Sequence, residues 1–418
     1  MSDRRRVVVT GIGAVSPNGV GRENFAAACR TGRSGIRPLQ IDLTNLKSNV
    51  AGIVGEFDPT RVMSTPELRR VPRMIPMALA ASNEAMMQAN LEPDRFRSDI
   101  ESARKIGVAL GTGAGGLAFL EDQYQDFFAR GGGSLYAVTA GTHGNLSSEL
   151  SIALALRGPS HVLSTGCTSS TDAIGHAMTL IRAGIVPMML AGGADSPISR
   201  GILTGFERIR VISTRRWDDP ARASRPFSAD RDGFVLAEGA WMFVLEDAEH
   251  ASKRDAPILA ELAGYGSTCD AYHRVQIAPD VEEPARAMRL AMADAGAPAE
   301  SIDYINLHGT GTTLNDRLET MAVRKCFGNH ADRIPCSSTK SMIGHAQGAC
   351  GAGGVAATIL SMHDGMLHPT INLDQPDADC DLDYVSTGPR PASIDTALCN
   401  CIAFGSKNSA IVVRRFNE

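Results

Sequence analysis

An α/β protein built on a largely buried sheet is what the sequence predicts, and three observations predict it. Short apolar runs, closed by Gly or polar residues, alternate with helical stretches along most of the chain. The 418 residues are 43% hydrophobic and 21% charged, an ordinary globular mix with enough length to bury a large core. Glycine is abundant, at 42 residues, while aromatic residues make up only 5%, which points to closely packed elements and tight turns around a site.

The elements follow in order. Val7, Val8 and Val9 open a strand over residues 7–13, and a helix is expected over 74–89. Further strands are read at 105–111, 161–165, 187–193, 241–246 and 258–266. Helices at 284–295 and 317–326 bracket a strand at 304–308, and strands at 398–404 and 410–415 close the chain. Residues 217–232, rich in Arg, Asp and Pro, read as a surface loop. A seam near residue 255 divides the chain into halves of 1–255 and 256–418. Gly11-Ile12-Gly13 looks like the start of a dinucleotide-binding turn, but Ser16 stands where the third glycine belongs and Pro17-Asn18-Gly19 makes a turn instead of a helix.

The charge sum is −5, which argues against a general nucleic-acid binder. No run of about 18 apolar residues is present to span a membrane, and the apolar stretch after Arg4-Arg5-Arg6 is too short for a signal peptide. Nine cysteines include no CxxC pair, and Cys399 and Cys401 form only a CxC. A reduced, cytoplasmic chain is the expectation.

One cysteine has a distinctive setting. Ser164-Thr165-Gly166-Cys167-Thr168-Ser169-Ser170-Thr171 precedes an apolar helical stripe of Ala173, Ile174, Ala177, Met178 and Ile181, with Gly184 placed to cap the end. Cys167 thus falls between a buried strand and a helix N-terminus, where the dipole and free N–H groups favour a thiolate. Two histidines supply partners. His308 ends a strand beside Gly309 and Gly311, and His345 closes the segment 337–345. A cysteine with two histidines is a plausible nucleophile with its base or hydrogen-bond donors.

On these residues the sequence resembles the β-ketoacyl-acyl-carrier-protein synthases of the condensing-enzyme family, closest to the elongating type II synthases and the α subunit of type II polyketide ketosynthases. The resemblance spans essentially the whole chain. It rests on Val9-Thr10-Gly11-Ile12-Gly13, the Cys167 block, Arg225-Pro226-Phe227, Asp230-Arg231-Asp232-Gly233-Phe234, His308-Gly309-Thr310-Gly311-Thr312, residues 340–345 and Pro369-Thr370-Ile371-Asn372. It implies a thiolase fold, a five-layered αβαβα arrangement of two duplicated halves. It also implies decarboxylative condensation of a malonyl thioester with an acyl chain held on Cys167, both delivered on the phosphopantetheine of acyl carrier protein.

By the same resemblance His308 and His345 hold the malonyl thioester carbonyl as neutral donors, and Lys340 supports the histidine site. The N–H groups of Cys167 and Phe404 form the oxyanion hole, while Thr310 and Thr312 contact the pantetheine arm. Arg69, Arg70 and Arg210 match basic positions that dock the carrier protein. No metal or other intrinsic cofactor is implied. The expected assembly is a homodimer, or a heterodimer with a chain-length-factor subunit. Cys167 speaks against the chain being that noncatalytic subunit itself.

The wording of Thr165-Gly166-Cys167-Thr168-Ser169 and Asn315-Asp316-Arg317-Leu318-Glu319-Thr320 leans to the polyketide branch, with an elongating synthase of fatty-acid synthesis as the alternative. Three departures stand out. Gly354 replaces a common glutamate, so the network around Lys340 is expected to use Gln347 or water. Ala403-Phe404-Gly405-Ser406 replaces a Gly-Phe-Gly-Gly gate. Ala114 replaces an isoleucine of many elongating synthases, which opens the acyl channel.

Overall fold

The computed structural model describes residues 4–417. Its first half supplies β1 (Val7–Ser16), β2 (Ile106–Gly111), β3 (Ser160–Leu163), β4 (Met188–Asp195) and β5 (Gly239–Asp247). The second half supplies β6 (Ala260–Cys269), β7 (Tyr304–Asn306), β8 (Cys336–Ser337), β9 (Thr396–Ala403) and β10 (Lys407–Arg414). All ten join in one sheet, in the order β3-β2-β4-β5-β1-β6-β10-β9-β7-β8.

The order exposes a duplication. In each half the third strand lies at the edge, followed by the second, fourth, fifth and first. In each, the second strand runs parallel to the third and fourth, and the remaining pairs are antiparallel. The halves meet where β1 pairs antiparallel with β6, at Val8–Glu261 and Val9–Ala260.

Three hydrophobic cores separate five layers. Helix α1 (Met74–Gln88) covers the outer face of the first half, where Met74, Ile75, Met77 and Met86 meet Val108, Leu110, Leu190 and Met242. Helices α2 (Leu117–Arg130) and α3 (Ser169–Arg182) follow in the chain. Helices α4 (Glu282–Ala295) and α5 (Thr313–Phe327) cover the outer face of the second half, packing Met288, Leu318 and Val323 on Ile305, Leu398 and Val412. Between the halves lie α3 and α6 (Cys350–Asp364), which touch each other and strands of both. There Ile174, Met178, Val355 and Ile359 bury against Val7, Phe243, Ile411 and Val413. The result is the expected thiolase-type αβαβα stack. Among the described residues no helix is long and apolar enough to cross a membrane.

The Gly11-Ile12-Gly13 segment continues β1, and the turn comes at Pro17-Asn18. Its glycines serve close packing, since a Cβ at Gly11 or Gly13 would stand 1.9 Å or 1.8 Å from carbonyl oxygens of α1.

Two expectations need correcting. Residues 217–232 are not a surface loop throughout: Ala223–Ser228 and Arg231 are buried. Their charges are neutralised in place, Arg225 by Asp230 and Asp374, Arg231 by Asp316 and Asp377. The strand before Cys167 is not buried either. It is the edge strand β3, with Ser160 and His161 exposed. The sequence also gave no sign of the two-residue strand β8, which has no periodicity to read.

Candidate active site

Cys167 stands in the single turn Gly166–Thr168 that leads from β3 into α3. Gly166 takes φ +71°, and a Cβ on it would come within 3.3 Å of Ala403 and 3.4 Å of the Phe404 carbonyl. A left-handed residue without a side chain is therefore needed to bring the cysteine against the end of β9. Gly184, with φ +71°, follows the end of α3 as expected.

Two buried carboxylates hold the loop that carries His308. Glu319 accepts from the N–H groups of His308 and Gly309, both at 2.7 Å, and Asp316 from those of Thr310 and Gly311. A third, Asp195, accepts from the N–H groups of Gly113, Ala114 and Gly348. Sequence reasoning assigned no role to these three. For Asp316 and Glu319 the available signal was two acidic residues three apart on one helix, and for Asp195 it was an acidic residue at the end of an apolar strand.

The reacting groups converge. One atom each of Cys167, His308 and His345 lies within 4.8 Å of the others, and all three residues are buried. The two imidazoles meet edge to face, with centroids 5.4 Å apart. Phe234 packs edge-on against His345 at 5.0 Å, a contact the sequence did not announce. These groups open into a cavity of about 280 Å³, also lined by Arg210, Thr310, Thr312 and Phe404, with Ile209, Val275 and Ile277 on its apolar side. Thr312 has a structural task as well, since its hydroxyl caps α5 by accepting from the Asn315 N–H. Neither Cys167 N–H nor Phe404 N–H has an internal acceptor among the described residues, which leaves both for an oxyanion.

Some expected residues stand apart. Ala114 is buried before α2 and does not line this cavity. Arg69 and Arg70 are exposed but also lie outside the lining, and Arg70 stacks over Tyr136. Lys340 is buried in the turn Lys340–Ile343, and its charge acts on His308, Cys350 and Cys401. The amide nitrogen of Gln347 is buried without a partner among the described residues. Gly354 itself abuts Asn306, and a Cβ there would lie 2.8 Å from the amide oxygen.

The surroundings push the two histidines in opposite directions. Burial, and then the charge of Lys340, push His308 down to about 3. Burial alone would lower His345 too, but negative charge on Cys167 and Cys350 outweighs it and raises His345 to about 9. A protonated His345 therefore faces the sulfurs of Cys167 and Cys350, and acylation of Cys167 removes one of these two causes. Histidine-labelled NMR is expected to show His345 titrating near 9 in the free protein and lower once Cys167 is alkylated. His345, raised above its unfolded value of about 6.5, stabilises the fold fully below that pH and loses this contribution as pH climbs through about 9. His308, lowered, loses its contribution as pH falls from about 6.5 toward 3.

A buried sulfur nucleophile, two imidazoles and a pair of free backbone donors at a shared cavity define an acyl-transfer enzyme on a duplicated α/β scaffold. Comparison with known proteins carries this further. Residues 4–251 match the beta-ketoacyl synthase N-terminal domain, and residues 259–374 match the C-terminal domain. The chain belongs to the β-ketoacyl synthase family. It is 38% identical over 419 residues to 3-oxoacyl-[acyl-carrier-protein] synthase 2 of Coxiella burnetii, covering 99% of both chains. It is 40% identical over 423 residues to the actinorhodin polyketide beta-ketoacyl synthase 1 of Streptomyces coelicolor, covering 98% of this chain and 89% of that one. Among solved structures, a type II polyketide ketosynthase bound to the hexaketide, in complex with its acyl-carrier protein, superposes with a TM-score of 0.90 at 34% identity, covering 99% of this chain and 100% of that one. The ishigamide ketosynthase/chain length factor gives a TM-score of 0.91 at 33% identity, with the same coverage.

Proposed function

We propose that the protein is the catalytic ketosynthase subunit of a type II polyketide assembly. It condenses an acyl chain held on Cys167 with a malonyl group carried on acyl carrier protein. The observation that carries this is the convergence of Cys167, His308, His345 and the Phe404 loop on one cavity. The Cys167 thiolate attacks the acyl thioester, and the carrier's pantetheine sulfur leaves as the thiol by taking the proton held on His345. Malonyl thioester then takes its place with its carbonyl oxygen toward the imidazole N–H groups. Loss of carbon dioxide leaves an enolate, whose carbon attacks the Cys167 thioester and regenerates the thiolate. Both acyl-transfer steps pass through oxyanions, for which one preorganised donor contributes about 2.7–4 kcal/mol. An elongating synthase of fatty-acid synthesis is the second reading, favoured by relatives such as the Coxiella burnetii enzyme.

A paired assembly, as homodimer or with a chain-length-factor subunit, is supported by exposed apolar surface at Tyr124, Phe127, Phe128, Leu135 and Val138 and by the free edge of β3. The two halves are taken to divide at 255/256, in the link that precedes β6.

Mass spectrometry with acyl- and malonyl-carrier protein, alone and with a chain-length-factor partner, tests the function. An acyl adduct on Cys167 and a β-ketoacyl product are expected. Absence of malonyl decarboxylation under every pairing would overturn it, and activity only with the partner marks the polyketide branch.

Two further outcomes are expected, the first from the cavity and the second from the family resemblance alone, since Ala114 stands outside the cavity lining. Arg210, exposed and lining the cavity, is the best-placed docking cation, while Arg69 and Arg70 are exposed but outside the lining. Charge reversal at Arg210, and at Arg69 with Arg70, is expected to weaken carrier-protein binding more at low salt than at high. Unchanged low-salt affinity by calorimetry would show that these are ordinary solvated charges. Ala114→Ile is expected to shorten the acyl chains accepted, read as the chain-length profile of Cys167 adducts, and an unaltered profile would remove Ala114 from the channel.

A further inference from the structure

Behind Cys167, on the side away from the cavity, lies a second sulfur cluster that the condensation does not use. Cys350 opens α6 and Cys401 lies in β9, and neither side chain lines the cavity. The Cys401 sulfur stands 3.5 Å from Nδ1 of His308. One ligand atom each of His308, Cys350 and Cys401 lies within 4.8 Å of the others, all buried. The carbonyl oxygen of Cys167 faces both sulfurs, at 3.2 Å from Cys401 and 3.4 Å from Cys350.

We infer that His308 Nδ1, Cys350 Sγ and Cys401 Sγ form a binding site for a thiophilic divalent cation of the zinc class, with the Cys167 carbonyl as fourth ligand. Two sulfurs and an imidazole are the donor set such ions prefer. The spacing is close to what coordination requires. Zinc–sulfur and zinc–nitrogen bonds of about 2.3 and 2.0–2.1 Å, set at tetrahedral angles, separate sulfur from nitrogen by about 3.5–3.6 Å. The Cys401–His308 pair already stands at this separation, and Cys350, within 4.8 Å of both, has to close to it.

Charge also permits it. Each thiol releases its proton to solvent on binding, so two thiolates neutralise the ion. The two thiols start on opposite sides of the ordinary range: Cys350 is lowered, because Cys401 and the positive Lys340 and His345 outweigh its burial, whereas the contact with Cys350, and then burial, hold Cys401 up, so the ion has to displace the Cys401 proton. An ion on Nδ1 leaves Nε2 as the nitrogen that carries the proton, so the site fixes the tautomer of His308 without entering the reaction.

The test uses the full-length, reduced protein in a His176→Asn background. That change removes a competing exposed pair, because His161 and His176 stand with ring nitrogens 3.1 Å apart. Chelator-stripped protein is titrated with zinc against a chromophoric competitor, and with cobalt(II) while recording thiolate charge-transfer absorption. One equivalent is expected to bind with the absorption of two thiolates. Cys350→Ser and Cys401→Ser, confirmed as folded by circular dichroism, are each expected to lose affinity by at least about 10–100-fold, the loss that even an outer-shell change produces. Cys167→Ala is expected to bind as the parent does, since only its backbone oxygen takes part. Unchanged affinity in both serine variants, no charge-transfer band, or loss of binding in Cys167→Ala would each overturn the assignment. The last result would place the ion among Cys167, His308 and His345 instead. Binding is read without substrate, so the outcome is independent of the proposed condensation.

Discussion

Cys167→Ala is expected to abolish condensation, lowering turnover by about four orders of magnitude or more, as removal of a covalent nucleophile does. The acyl adduct is expected to vanish with it. Malonyl decarboxylation is expected to persist, because the enolate is stabilised by imidazole N–H groups and not by the sulfur. The variant also removes the negative charge that raises His345, so that imidazole should titrate lower than in the parent protein. Mass spectrometry of the intact protein, with a separate assay of carbon dioxide release, reads both halves of this expectation. Condensation surviving in the variant would mean that another thiol carries the chain, and Cys350 and Cys401 are the nearest.

His308→Ala is expected to show a different split. His308 contacts Cys401 through Nδ1, whereas it is His345 whose proton responds to the charge of Cys167. Loss of His308 is therefore expected to lower decarboxylation by about 10²–10³-fold, the effect of deleting one oxyanion donor. Acylation of Cys167 should continue at close to the parent rate. His345→Ala, by contrast, should slow both steps. Single-turnover acylation measured beside carbon dioxide release separates them, and equal losses of both steps in His308→Ala would show that the two imidazoles act as one unit. With His308 lowered to about 3 and His345 raised to about 9, the two charge states coexist across neutral pH.

Much of this was legible in the chain itself. The strands were found close to their true places because apolar runs between Gly and polar residues mark a buried sheet whatever its neighbours are. Cys167 was legible because its small flanking residues and the following helical stripe are local features. His308 and His345 were legible through the motifs that contain them. The segment 217–232 was misread because its Arg and Asp residues look solvated until their partners are known. Asp374, Asp377 and Asp316 lie 85–149 residues away from the arginines they pair with. The edge position of β3 was hidden for a similar reason, since four residues carry too little pattern to show which side lacks a neighbour.

The sequence by itself determined the α/β class, the nucleophile and the two histidines, because period, turn chemistry and residue type are set within a few neighbours. Only the tertiary structure decided the symmetry of the two halves, the unequal charges of the histidines and the sulfur cluster behind them. Each of these depends on distance and burial between residues far apart in the chain. Cys167 and Cys401 are 234 positions apart, yet the sulfur of one lies 3.2 Å from the backbone oxygen of the other.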